Sequence, residues 1–237
     1  MFEIKKNHIT SLKSSVSAGA LIVGASLVLG SGAAQAADVS AQVEAGTAFI
    51  AGNAVDNFVI DATNDGEGSN TAFVFGTGNA GLTVTSNGAD ATGINDFGQA
   101  LSLTNANDAG TTALIIGEST NADDYTFNVT GNIAGDVSTA LNDLNITINP
   151  LSGSQDDGDN VTLSVGGNIV IGNGSITLTG DADDIPILEF SGTAAQSVEA
   201  LKVVITTDNS GIIRVTNTGG TVTTNAVLGV DTKGLAG

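Results

Sequence analysis

The chain lacks most of the side chains that carry enzyme and metal chemistry. It has no cysteine, no tryptophan, one tyrosine and one histidine, His8, in 237 residues. The lack of cysteine excludes thiolate metal sites, thiol catalysis and disulfides. If His8 belongs to a segment that is removed, as argued below, no imidazole remains. The commonest general base and the commonest transition-metal ligand are then both missing.

Positive charge is equally scarce. Six Lys and Arg stand against 25 Asp and Glu, for a formal net charge of −19, and no basic residue occurs between Lys13 and Lys202. Nucleic acid binding depends on Lys and Arg contacts to phosphates, so nucleic acid is excluded as a partner, and anionic lipid is disfavoured for the same reason. A surface of this kind attracts cations or basic partners.

The N-terminus has the three parts of a secretory signal peptide. Three lysines precede residue 14, an apolar stretch rich in small residues covers 16–30, and Ala34 and Ala36 form a small-x-small cleavage pattern. The apolar stretch is shorter than the roughly 20 residues of a membrane span, and no later run is long enough either. We therefore predict a signal peptide over residues 1–36, cleaved after Ala36.

The remaining 201 residues, 37–237, form one predicted domain with an extreme charge. Removing residues 1–36 takes away Glu3 and leaves 25 − 1 = 24 carboxylates. The three remaining cations are Lys202, Arg214 and Lys233, so the formal charge of the exported chain is −21. Acidity of this size keeps a protein soluble outside the cell.

Short alternating segments dominate residues 37–237. Apolar β-branched residues alternate with Thr, Asn or Ser, and Gly or Asn follows nearly every such run, which is the pattern of strands joined by sharp turns. No stretch sustains a helical apolar stripe. The pattern predicts an all-β domain after a helical signal peptide. The clearest segments are 126–130, 145–149, 161–165, 175–179, 188–190 and 213–215.

Weak repetition favours a β-solenoid, a parallel β-helix in which each turn of the chain forms one rung of a stack. The sequence from Phe127 to Ile133 recurs from Leu163 to Ile169, an offset of 169 − 133 = 36 residues. Drifted repetition, few aromatics and many small residues favour stacked rungs, for which we expect a length of roughly 20 residues. A β-sandwich, which also uses short alternating strands, is the alternative fold.

One acidic cluster resembles a calcium loop. Asp156, Asp157 and Asp159 surround a glycine, and Ca²⁺ takes carboxylate oxygens from such loops. The segment lacks the residue order of an EF-hand and the tandem repeats of β-roll proteins. A solvated acidic turn is the favoured interpretation, and Ca²⁺ at these three aspartates is the alternative. Asp181, Asp183 and Asp184 form a second cluster.

Residues 76–81 match the glycine pattern G-x-G-x-x-G of dinucleotide-binding proteins. That site needs a helix beginning at the last glycine, so that the helix N-terminus meets the pyrophosphate. Here Leu82 to Thr85 alternate like a strand. We therefore predict no cofactor and interpret the segment as a hairpin-like turn.

The strands spaced by Gly and Asn, such as 131–133 and 144–149, and the segments 188–192 and 203–207, resemble the passenger region of bacterial autotransporters, especially the surface antigens of rickettsia-like bacteria. The resemblance covers most of residues 37–237 and rests on pattern, since no fixed motif is shared. It implies an adhesive or coat-like surface and secretion through an outer-membrane translocator barrel. An autotransporter ends in aromatic-rich barrel strands, which residues 230–237 lack. We therefore expect the barrel outside this chain. The chain is then an N-terminal fragment of a longer passenger, the product of a split reading frame or an independently exported protein, and in the first case the domain is incomplete at its C-terminus.

These observations favour an exported, non-enzymatic structural or adhesive protein at the cell surface, in the outer membrane or in the extracellular space. Its expected partners are a host or neighbouring cell surface, or other copies of itself. A calcium-binding surface-layer or matrix protein is one alternative. A polysaccharide-acting β-helix enzyme is another, although such grooves are lined with aromatics that this chain has in small number.

Overall fold

The structure is a computed structural model, and the residues it describes all belong to one compact unit, residues 35–237. The predicted signal peptide, including Ala34 and Ala36, lies outside the described residues. The described residues are 37–39, 49–51, 57–62, 71–75, 80–86, 94–96, 100–105, 111–117, 124–135, 144–150, 160–181, 183–207 and 210–229.

The described residues form twenty strands, numbered in chain order, in three sheets. Sheet A contains β1 (Ala37–Asp38), β3 (Asn57–Ala62), β5 (Ala80–Ser86), β8 (Thr112–Gly117), β11 (Leu144–Asn149), β14 (Ser175–Leu178), β17 (Lys202–Ile205) and β20 (Val227–Leu228). Sheet B contains β2 (Phe49–Ala51), β4 (Thr71–Phe75), β7 (Leu101–Asn105), β10 (Ile133–Gly135), β13 (Ile169–Val170), β16 (Gln196–Glu199) and β19 (Val222–Thr224). Sheet C contains β6 (Ile94–Asp96), β9 (Tyr125–Val129), β12 (Asn160–Val165), β15 (Ile185–Phe190) and β18 (Ile212–Val215).

The all-β prediction is confirmed for these residues. Every pairing between described strands is parallel, and from β6 onward the chain visits sheets C, B and A in that order, again and again. Parallel neighbours need a crossover between them, and here the crossover is the visit to the other two sheets. This pairing differs from that of a β-sandwich, whose sheets are antiparallel.

The interval between paired strands varies more than the sequence suggested. Ala37 pairs with Phe58, an interval of 58 − 37 = 21 residues, whereas Ile133 pairs with Ile169, an interval of 36. The expected rung of roughly 20 residues is therefore too short for most of the stack. The repeat at offset 36 is confirmed, because it brings Phe127 beside Leu163 and Ile133 beside Ile169.

The core is a set of apolar columns that run through the stack. Alternation places every second side chain inward, so β9 and β11 show strict alternation of buried and half-buried positions. Burying each large aliphatic side chain contributes about 1.5–3 kcal/mol before the entropy of folding is counted. In sheet A one column consists of Leu82, Leu114, Ile146, Ile176 and Val203, each no more than 2% exposed.

Glycine forms the corners where successive rungs touch. Gly172 has a φ of 61°, which L-residues with a side chain rarely adopt, and it opens the turn between β13 and β14. The Gly174 N–H closes that turn on the Ile171 carbonyl at 2.9 Å. A Cβ on Gly174 would overlap the carbonyl oxygen of Leu144, so the close approach requires glycine. The prediction that Gly and Asn mark the strand ends therefore has a steric basis at this corner.

Candidate functional site

The proposed calcium ligands Asp156, Asp157 and Asp159 lie outside the described residues. The second acidic cluster is described, and it forms a turn. The Asp181 Oδ1 accepts hydrogen bonds from the backbone N–H groups of Asp183 and Asp184, at 2.9 and 3.0 Å. These two bonds, that from Asp184 first, hold the pKa of Asp181 below its ordinary value of 3.8. Within the described part of the chain no group of three or more acidic side chains is arranged to hold a metal ion.

The glycine motif at 76–81 leads into a strand. Ala80 to Ser86 form β5, as the alternation from Leu82 to Thr85 predicts, so no helix begins at Gly81 to meet a pyrophosphate. The hairpin-like interpretation is wrong. The preceding strand β4 belongs to sheet B and pairs with β2 and β7, whereas β5 belongs to sheet A and pairs with β3 and β8. Residues 76–79, between the two strands, are not described.

Asparagine side chains link successive rungs along one corner. The Asn132 Oδ1 accepts the backbone N–H of Asn168 at 2.7 Å, and the Asn168 Oδ1 accepts that of Ser197 at 2.8 Å. Each amide thus satisfies a backbone donor that the sheet ladder leaves open. The sequence contains a signal for this series of asparagines, because Gly-Asn-Ile occurs at both 131–133 and 167–169.

Gln196 and Asn217 form a polar node beside this corner. The Gln196 Nε2 donates to the carbonyls of Val165 and Gly167 at 2.8 and 2.7 Å. Its Oε1 accepts from the Gly192 N–H at 3.1 Å and from the Asn217 Nδ2 at 2.6 Å. No sequence signal marked Gln196. It is 3% exposed, and three of its four hydrogen bonds go to neighbouring backbone and the fourth to the Asn217 side chain, so its role is to hold neighbouring rungs together.

The outward face of sheet A presents an uncharged column. Its members are half-buried, carry β-branched side chains and lie in register across five strands: Thr83, Ile115, Thr147, Thr177 and Val204. Strands repeat every 4.7–4.9 Å or so across a sheet, so the column offers evenly spaced methyl and hydroxyl groups. A surface of this kind suits extended contact with another surface more than the enclosure of a small molecule.

Sheet C carries an ion pair on its outward face near the last rung. The Arg214 Nη1 lies 3.1 Å from the Glu189 Oε2, across the register of β15 and β18. The Thr216 Oγ1 donates to the other oxygen of Glu189 at 2.9 Å. Because the Arg214 side chain is 45% exposed, the pair contributes no more than about 1 kcal/mol.

The last described rung, β18, β19 and β20, leaves an open end. Side chains at inward positions of the preceding rung are covered by the next strand, whereas the side chains at the same positions of this rung are exposed. Phe190 is 3% exposed and its partner Val215 is 57% exposed, and Val203 is 2% exposed and its partner Leu228 is 53% exposed. A cavity of about 170 Å³ opens there, lined by Phe190, Ile213, Val215, Leu228 and their apolar neighbours. The open end is defined by these three strands and this apolar lining.

Charge is distributed unevenly along the chain. Residues 37–190 contain 21 carboxylates and no Lys or Arg, whereas residues 191–237 contain three of each. The three cations that follow the predicted signal peptide therefore all lie in the last 47 residues, with the strands of the open end. By sequence, residues 37–190 are strongly acidic and residues 191–237 carry no formal net charge.

No family model, no curated protein and no solved structure matches this chain. In the described part of the chain, no helix is both long and apolar enough to cross a membrane.

Proposed function

We propose that this chain is an exported protein of the bacterial cell surface with a structural or adhesive role, without catalysis, and that it folds as a parallel β-helix. The observation that supports the proposal most strongly is the recurring order of the three parallel sheets. A chain that returns to each sheet after every turn, always in the same order, builds a stack with extended lateral faces.

The chemistry of the described surface supports a contact role. The outward column of sheet A is uncharged, and the polar side chains of Asn132, Asn168 and Gln196 are engaged with backbone. Solenoids use such extended faces for binding other large surfaces. A passenger segment of an autotransporter, which the sequence resembles, has a role of this kind, and we propose it as the class of protein.

Export is the step to test first. The full chain with a C-terminal tag should be expressed in a Gram-negative host, and its N-terminus and mass determined. We expect a mature protein that begins at Ala37. Ala36→Phe should block cleavage, because the peptidase needs a small residue there, and Ala33→Phe, outside the small-x-small pattern, should be processed normally. A full-length chain that stays in the cytosol would contradict the proposal.

Display and adhesion require separate measurements. Antibodies against residues 37–237 should bind intact cells of the source bacterium, and protease added to those cells should remove the signal. Binding of the purified exported chain to cell monolayers then distinguishes an adhesive role from a purely structural one. A signal found only after lysis would contradict surface location.

A further inference from the structure

Asn173 lies in the tight turn between β13 and β14, directly before a glycine. The turn is closed by the hydrogen bond from the Gly174 N–H to the Ile171 carbonyl at 2.9 Å, and Gly172 supplies its positive φ. The Asn173 side chain is exposed and makes no hydrogen bond with the residues that the structure describes. It is therefore free to change its conformation relative to the backbone nitrogen that follows it.

An asparagine in this position undergoes a reaction that needs only water. The backbone nitrogen of the next residue attacks the side-chain carbonyl carbon and gives up its proton as the new C–N bond forms, and the amide leaves as ammonia. Water then opens the five-membered succinimide at one carbonyl to give aspartate, or at the other to give isoaspartate. A side chain on the next residue hinders the attack, a β-branched one most of all, and glycine has none.

The other described asparagines lack this combination, since none of them precedes a glycine. Asn132, Asn145 and Asn168 are each followed by isoleucine, and the Oδ1 of each accepts a backbone N–H of the next rung at 2.7, 3.0 and 2.8 Å. The nitrogen that would attack at Asn132, that of Ile133, donates to the next rung as well. The other Asn-Gly pair in the sequence, residues 87–88, lies outside the described residues.

We propose that Asn173 is a site of spontaneous deamidation in the folded protein, and that its conversion to isoaspartate weakens the corner between β13 and β14. The attack requires the Gly174 N–H to leave the Ile171 carbonyl, which is a local opening of one exposed turn. Isoaspartate adds one carbon to the backbone next to Gly174, whose backbone already lies so close to the Leu144 carbonyl oxygen that a Cβ would overlap it. The inference does not rest on export, so its failure would leave the proposed function standing.

Isotope labelling of the purified exported chain tests the reaction. The chain is kept for weeks near neutral pH in water enriched in heavy oxygen, which marks every asparagine that converts, and is then digested with pepsin, because residues 14–201 contain no Lys or Arg for trypsin. We expect label at Asn173 roughly tenfold or more faster than at Asn132, Asn145 and Asn168, since one net hydrogen bond alone is worth a factor of about this size. Asn173→Gln, which must form a larger ring, should take up no label at this position. A folded chain that stays unlabelled at Asn173, or is labelled there no faster than at the other three, would overturn the proposal.

Melting temperatures test the effect on the corner. The aged native chain should melt below Asn173→Gln aged in the same way, because only the native chain acquires isoaspartate. Asn173→Asp adds the same carboxylate with an ordinary backbone and should melt close to the fresh native chain. A converted chain that melts like the fresh one would refute the weakened corner. Equal losses in the converted chain and in Asn173→Asp would also refute it, because they would assign the effect to charge.

Discussion

Gln196 shows how single polar residues stabilise the stack. It is 3% exposed and makes four hydrogen bonds, two as donor to the carbonyls of Val165 and Gly167 and two as acceptor from Gly192 and Asn217. The side chain bridges the ends of β12 and β15 to β16. A buried polar group whose hydrogen bonds are all made costs little free energy of folding. When such a group is deleted, its former partners stay buried without a hydrogen bond, and the fold is destabilised.

Replacement of Gln196 by alanine should therefore lower the free energy of unfolding by about 2–3 kcal/mol, because buried donors and acceptors around it lose their partner. Urea denaturation followed by circular dichroism measures the change. Ser197→Ala is the matched control, since Ser197 binds Asn168 through its backbone N–H, which the substitution keeps. Equal stability of Gln196→Ala and the native chain would show that the node contributes nothing.

Asp181 gives a prediction about pH. The N–H groups of Asp184 and Asp183 lower its pKa in the folded chain below the ordinary 3.8, so its ionised form is favoured by folding. A depressed folded pKa gives stability that is present above the unfolded pKa and is lost as the pH falls through the folded pKa.

Asp181→Ala should thus destabilise the chain at pH 7, by no more than about 1 kcal/mol at this half-exposed turn. The difference from the native chain should shrink as the pH falls below 3.8, where the native carboxyl also protonates. Thermal melts from neutral to acidic pH measure this difference in stability between the native chain and Asp181→Ala. Asp183→Ala is the control, because Asp183 contributes only its backbone N–H to this turn. A difference independent of pH would refute the explanation.

At the scale of strands, the register is the feature that defines the fold. Sheet A places Thr147 beside Thr177 and Thr177 beside Val204, although these residues are 30 and 27 positions apart in sequence. Parallel neighbours lie roughly 4.7–4.9 Å apart, within the Cα separation that a disulfide can bridge. Two rungs apart, the separation exceeds that limit.

A pair of introduced cysteines tests this strand register in solution. Thr147→Cys with Thr177→Cys should form an intramolecular disulfide on oxidation, detected by mass and by loss of free thiol. Thr147→Cys with Val204→Cys should keep both thiols, because one strand lies between them. The reverse result would show that the strands stack in another register.

At the scale of the whole molecule, charge opposes compactness. Residues 37–237 carry 24 carboxylates and three cations, so the folded chain brings like charges together. The apolar columns inside the stack overcome this repulsion, and salt screens it over about 10 Å at 0.1 M.

Sodium chloride should therefore raise the melting temperature at pH 7 over the range from low salt to half-molar, at fixed protein concentration. The rise should be much smaller near pH 4, where about half of the Asp and Glu side chains are protonated. Sulfate is avoided, because it strengthens apolar burial by itself. A melting temperature that does not change with chloride at pH 7 would show that repulsion is unimportant.

Local sequence determined the elements of this protein. The alternation of apolar and polar residues predicted strands such as β9, β11 and β12, and Gly and Asn predicted their ends. Both signals follow from backbone and side-chain sterics within a few residues. The offset of 36 seen in the sequence is the interval at which Ile133 pairs with Ile169, although the expected rung was roughly 20 residues long. The absence of cysteine and the scarcity of positive charge supported the expectations about function from composition alone.

Only the tertiary structure decided how the strands pair and what remains exposed. Intervals from 21 to 36 residues follow from corner loops of varying length, which the stack tolerates because each strand needs only the strand above and below. The hairpin expected at residues 76–81 failed for this reason, since its strands find partners a full turn away. Val215 and Leu228 look like core residues in sequence, and they are exposed because no described strand lies beyond them.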